Sequence, residues 1–148
     1  MKLIKHLLKA LLLIVVVQSG AYCQSDSNNK SKQEPLIEKV FVVNIVPNKQ
    51  KLKEYLSYHS RVWPEVEGGF KKAGYKKIVL YRFNYLVVMV ITVPKQADSA
   101  KMGKLAESYS PKCAEWNKLM QGYQTGVPGT IPGQTWVETK PFYQFENH

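Results

Sequence analysis

Three features of the sequence predict an α+β fold. Val40–Val46 is nearly all β-branched or aromatic, and Leu86–Val93 is apolar at almost every position, as strands are. Between and after these runs, apolar residues recur at helical spacing. The segments follow one another as strand, helices, strand, strand, helices, strand, which is the ferredoxin-like split βαβ order, a four-stranded sheet with helices on one face.

The chain has 148 residues, and its first 23 read as an export signal. Lys2, Lys5 and Lys9 form a positive start, Ala10–Val17 is an unbroken apolar run, and Gln18–Cys23 is a small, polar cleavage region. The apolar run is too short for a stable membrane span, which takes roughly 20 residues. Ala21 and Cys23 satisfy the small-x-small rule for cleavage after Cys23, and cleavage after Ala21 is the other option. Lipid anchoring through Cys23 is the weaker reading, because Tyr22 stands where a lipobox has a small residue. The expected destination is the periplasm or the exterior. Residues 24–37 are largely polar and read as a flexible linker, leaving residues 38–148 as one folded domain.

Within that domain, Val40–Val46 forms the first strand, interrupted only by Asn44 and ended by Pro47-Asn48. A helix is expected from Lys49 to His59, with Ser60-Arg61 breaking it. Pro64 suits the first position of a second helix, where its missing N–H costs nothing, and Glu65 and Glu67 then lie near the positive end of the helix dipole. Trp-Pro-Glu thus has a sufficient structural explanation. That helix stops at Ala73-Gly74. Tyr75–Phe83 and Leu86–Val93 are strands joined by a turn at Asn84-Tyr85. A third helix is expected over Ala97–Ser108 and a fourth, opened by Pro111, over Lys112–Gln121, with Cys113, Trp116 and Met120 on one face. Gly126–Gly133 is a Pro/Gly loop and Thr135–Phe145 the last strand. Leu86–Val93 is apolar on both faces, so the face of the sheet away from the helices must also be covered; a second copy of the chain is the simplest cover, predicting a homodimer.

The net charge is +10, from 21 basic and 11 acidic residues; without the three signal lysines it is 18 against 11, or +7. The lysines are scattered and no nucleic-acid-binding motif occurs, so the positive charge reads as a solvated surface and no nucleic acid is expected as partner. Once Cys23 is removed, Cys113 stands alone, and the domain relies on its core rather than on a disulfide.

The chemistry centres on Lys53–Glu65. Leu52, Tyr55, Leu56 and His59 fall at i, i+3, i+4 and i+7, which sets the Tyr55 phenol and the His59 imidazole one turn apart on an inward helix face, approached by Trp63. A group titrating near neutrality beside a phenol suits proton transfer to a small polar ligand with an apolar side. The plainer reading is a core histidine satisfied by a backbone carbonyl. Likewise Trp116 is either a wall for such a ligand or a core tryptophan. His59 has no second histidine or His-x-x-Glu partner nearby, so a metal hydrolase is not indicated.

Tyr55 and His59, Val62-Trp63-Pro64-Glu65, Gly74, Met89-Val90, Cys113 with Trp116 and Met120, and the Trp136–Phe145 segment together resemble the L-rhamnose mutarotases. The match runs from Glu38 to Phe145. The resemblance implies a dimeric ferredoxin-like α+β barrel that interconverts the α and β anomers of a deoxyhexose, a monosaccharide substrate, and no metal or organic cofactor. By position, His59 matches the family's proton donor, Tyr55 a sugar-binding tyrosine, and Trp116 the first member of a Trp-Trp pair that packs on the sugar. Asn117 replaces the second tryptophan. Ile78 stands where a second sugar-binding tyrosine is expected, a role that Tyr75 or Tyr81 takes if the alignment carries a gap. These departures point to L-rhamnose or a relative such as L-fucose. The substrate-binding residues implied are therefore Tyr55, Trp63, Trp116, Asn117 and Tyr81, with His59 and Tyr55 catalytic. Two other functions fit the same fold: a sugar-binding protein without activity, and a haem-dependent or cofactor-free oxygenase with His59 as a haem ligand.

Overall fold

A computed structural model of the chain describes residues 34–147, so the expected export signal and most of the expected linker lie outside the described residues. The elements are β1 (Leu36–Ile45), α1 (Lys49–His59), α2 (Pro64–Ala73), β2 (Lys77–Phe83), β3 (Leu86–Pro94), α3 (Ser99–Glu107), α4 (Pro111–Gln121), β4 (Gln124–Thr125) and β5 (Val137–Thr139). Strand β1 starts before Glu38, so Leu36 and Ile37 belong to the sheet and not to the linker: they pair opposite Pro94 and Val93.

Local chemistry sets the boundaries. The Asn48 side chain accepts a hydrogen bond from the Lys51 N–H at 3.0 Å and caps α1. Asp98 and Ser110 cap α3 and α4 in the same way, and Pro64 and Pro111 occupy first-turn positions. Gly74 ends α2 with φ 92°, a left-handed conformation that glycine adopts without a Cβ penalty. The β2–β3 hairpin turns at Asn84, with φ 52°. Asparagine tolerates this conformation, which explains how the turn forms without the usual Asn-Gly pair.

The sheet runs β2-β3-β1-β4, with β5 also paired to β1, and every pairing is antiparallel. The ferredoxin-like order expected from sequence is present. The last strand differs from expectation. The fourth position of the sheet is shared: Gln124 and Thr125 pair with Ile45 and Asn44, whereas Val137–Thr139 pairs with Val42–Val40. A Pro/Gly loop separates the two pieces, and Pro141, which has no N–H to donate, follows soon after Thr139, so Thr135–Phe145 contributes only a short strand.

Alternation along the strands divides the sheet into two faces. Val43, Ile45, Val87, Ile91 and Val93 lie under the helices with essentially no exposure. Tyr55, Val66, Trp116 and Met120 join Val43, Ile45 and Val87 in one cluster, and Ala73, Met102 and Ala106 join Ile91 and Val93 in a second. Helices α2 and α3 approach closely at Gly69, where an added Cβ would lie 2.6 Å from the Ala106 carbonyl oxygen. The opposite face carries Val40, Val42, Val79, Tyr81, Phe83, Val88 and Val90, by register. Among the described residues no helix lies over it, and Tyr81 and Phe83 remain 58% and 75% exposed.

Candidate active site

Helix α1 delivers Tyr55 and His59 as the spacing requires: their ring centroids are 4.2 Å apart at 38°. The His59 Nδ1 lies 2.9 Å from the Tyr55 carbonyl oxygen. A carbonyl only accepts, so Nδ1 carries a proton, and in the neutral ring Nε2 then holds the lone pair. No other hydrogen bond reaches the His59 ring among the described residues, and no buried polar side-chain atom there lacks a partner, so Nε2 is not sealed in the core. It faces a cleft of about 980 Å³ bordered by His59, Tyr55, Trp116, Asn117, Val87 and Trp136, among others.

Burial pushes the His59 pKa below its ordinary 6.5, and the bond to the Tyr55 carbonyl offsets part of that shift. The imidazole therefore rests neutral at pH 7, with a free basic nitrogen. Burial raises the Tyr55 pKa above 10.0, while a side-chain hydrogen bond with Gln124 pulls the other way, so the phenol stays protonated. An acceptor and a hydroxyl thus lie side by side on one wall.

Trp116, from α4, is the centre of the aromatic packing. Its ring meets His59 at 5.4 Å and 65°, Trp63 at 5.3 Å and 72°, and Tyr58 at 6.2 Å and 88°. It is both a core residue, 5% exposed, and part of the cleft wall, so the two readings of Trp116 are compatible. Asn117 follows it into the same wall.

Of the residues expected at the site, Trp63 stands elsewhere, and Tyr81 is on the cleft border with its ring turned outward. Trp63 is not among the residues bordering the cleft; it packs behind Trp116, with the Lys112 Nζ 5.3 Å from its ring centroid. Tyr81 borders the rim, but its register opposite Val88 turns its ring to the uncovered face of the sheet. Tyr75 also lines the cleft, held edge-on against Phe70 at 5.6 Å and 72°, close in the chain to Ile78, which lines it too. Gln124, Trp136, Glu67 and Arg82 also border the cleft without having been expected there as site residues. Gln124 lies in the unforeseen β4, and Trp136 just before β5; their positions depend on pairing with β1. For Glu67 and Arg82 the only sequence signal was charge. Among the described residues no group of three or more His, Cys, Asp and Glu side chains is arranged to hold a metal ion, and no helix is long and apolar enough to cross a membrane.

Fold and cleft define a small ferredoxin-like α+β protein with a histidine and a tyrosine side by side at a concave site. Residues 38–145 match the L-rhamnose mutarotase family, and the chain belongs to that family. It is similar to the L-fucose mutarotase of Xanthomonas campestris pv. campestris, with 29% identity over 100 residues that cover 66% of this chain and 79% of that protein. It is also similar to a UPF0734 protein of Dictyostelium discoideum, with 26% identity over 107 residues covering 70% of this chain and 86% of the other. The solved structure of L-rhamnose mutarotase FA22100 from Formosa agariphila shares the fold, with a TM-score of 0.51 at 16% identity, covering 74% of this chain and 99% of that one. The protein is a sugar mutarotase, an isomerase acting on carbohydrates.

Proposed function

We propose that the protein interconverts the α and β anomers of a 6-deoxyhexose, with L-rhamnose and L-fucose as the leading substrates and His59 as general acid/base. The observation that carries this reading is the His59 ring itself: Nδ1 is tied to the Tyr55 carbonyl at 2.9 Å, while Nε2 has no hydrogen-bond partner among the described residues and the ring borders the cleft.

The neutral imidazole takes the proton from the anomeric hydroxyl. The resulting anion collapses to the aldehyde as the C1–O5 bond breaks, and the imidazolium returns the proton to O5, which leaves from the same carbon. Rotation about C1–C2 and reclosure by the reverse steps give the other anomer. Positioned proton transfer contributes roughly 10² to 10⁴-fold, ample for a reaction that already proceeds slowly in water. The Tyr55 hydroxyl, braced by Gln124, donates a hydrogen bond that orients the ring. Trp116, Val87 and Trp136 supply an apolar wall for the C–H face and methyl group, and Asn117 and Tyr75 supply polar contacts.

The enzyme is proposed to act as a homodimer whose uncovered sheet faces meet, a reading supported by the apolar surface of Val42, Val88, Val90, Tyr81 and Phe83. Phe142, Tyr143 and Phe145, all exposed in the single chain, add apolar surface that such an assembly can bury. Export to the periplasm or exterior is proposed from the basic start, apolar run and cleavage region of residues 1–23. Saturation-transfer NMR of anomer exchange in rhamnose, fucose and other aldoses tests the enzymatic reading. Accelerated exchange supports it; shift changes without acceleration would leave a binding protein instead.

A further inference from the structure

The cleft is more than the aromatic corner around His59. Its volume of about 980 Å³ lies at the top of the range of roughly 300–1,000 Å³ for small-molecule sites and leaves space beyond one pyranose ring. Away from Trp116 the border changes character: Lys71 at the end of α2, Lys76 just before β2, Lys77, and Arg82 on β2 all belong to it, against Glu67 as the one acidic residue.

None of these cations is paired with an acid among the described residues. The ion pairs among the described residues involve Lys39, Lys101 and Lys112, and none involves Lys71, Lys76, Lys77 or Arg82. Among the described residues the Arg82 side chain makes one hydrogen bond, Nη1 donating to the Asn84 carbonyl at 2.8 Å, which steadies the side chain and leaves most of its donors available. Register puts Arg82 opposite Val87, on the same sheet face as the cleft's apolar floor, and Lys77 opposite Thr92, on the other face, so Arg82 is the strand cation on the site's own side, while Lys71 and Lys76 border the cleft from outside the strand. Unpaired cations bordering a concave wall raise the local concentration of anions and favour them as ligands.

We infer that the preferred substrate of this site carries a negative charge away from its anomeric carbon: a sugar bearing a sulfate ester, or one joined to a uronic acid, with its reducing ring at His59 and its anionic group towards Lys71, Lys76 and Arg82. This rests on the mutarotase reading and adds the substrate class to it.

The test compares anomer exchange in L-fucose and L-rhamnose with that in their sulfate monoesters and in disaccharides whose reducing 6-deoxyhexose carries a uronic acid. The full-length protein is used at low salt and again at about 1 M, where charges are screened beyond roughly 3 Å. The expected result is a kcat/KM at least tenfold higher for an anionic sugar than for its neutral parent at low salt, collapsing towards parity at high salt. In the triple variant Lys71→Gln, Lys76→Gln, Arg82→Gln the anionic-to-neutral ratio is expected to fall at least tenfold, and a circular-dichroism melt verifies folding. A response to the esters alone assigns a sulfated monosaccharide; a response to the disaccharides alone assigns the end of an acidic chain. Equal or poorer turnover of every anionic sugar, with neutral sugars accelerated, would overturn the inference and leave mutarotation standing. No acceleration of any sugar would overturn the mutarotase reading itself.

Discussion

The imidazole of His59 is held by the carbonyl of Tyr55, one helical turn back, at 2.9 Å through Nδ1. This contact makes the plain and the functional readings of the residue one structure. The carbonyl satisfies one nitrogen, as it would for any core histidine, and by fixing the tautomer it presents the other nitrogen to the cleft as a base.

Replacing His59 with Asn removes the base while keeping a polar group of similar reach. The expected outcome is a loss of roughly 10² to 10⁴-fold in anomer-exchange rate, with the circular-dichroism spectrum and oligomeric state unchanged. A variant that exchanged anomers at the full rate would remove His59 from the mechanism.

The pH profile follows from the same ring. Burial lowers the His59 pKa below 6.5, so the active neutral form persists to mildly acid pH, and the acid limb of kcat/KM should have its midpoint below 6.5. The sign for stability is the same. Because the folded pKa is depressed, the unfolded chain binds the proton more readily; the associated stability is present above 6.5 and is lost as pH falls through the folded value. Rates from pH 4.5 to 8, and denaturation midpoints of wild type and His59→Asn over the same range, measure both effects.

Trp116 serves packing and site together, so Trp116→Ala should cost both. The expected destabilisation is about 3–5 kcal/mol by denaturant titration, with a raised KM in whatever protein remains folded. Trp63→Ala should lower stability while changing KM little, because Trp63 lies behind Trp116 and off the cleft.

Gly69 permits the contact between α2 and α3. In Gly69→Ala the new methyl would stand 2.6 Å from the Ala106 carbonyl oxygen, which is backbone and yields only by moving the helices apart. A loss of roughly 1–3 kcal/mol is expected, read from the urea midpoint. An unchanged midpoint would mean that the helices separate without cost.

The uncovered sheet face supplies a test of assembly. Charged groups at two of its exposed aromatic positions, Tyr81→Lys with Phe83→Lys, should convert a dimer to monomer in sedimentation analysis and leave the secondary structure intact. A wild type that sediments as a monomer at every concentration would rule the dimer out.

Much of this molecule is written in local pattern. β-branched runs, Asn48, Pro64, Gly74 and Pro111 act through neighbours in the chain, so the order of elements and most of their limits were legible without coordinates. The pairing of Tyr55 with His59 was legible for the same reason, since residues four apart on a helix must meet. Contacts made across the chain were not. Whether Trp63 or Trp116 walls the cleft, which face of β2 carries Tyr81, and that Gln124 and Val137 share one edge of β1 depend on strand register and helix docking. A shift of one residue in a strand reverses every side chain on it. Composition and periodicity specify the kind of element; the partner each element finds in space, selected by packing of the whole core, specifies which of its side chains reach the sugar.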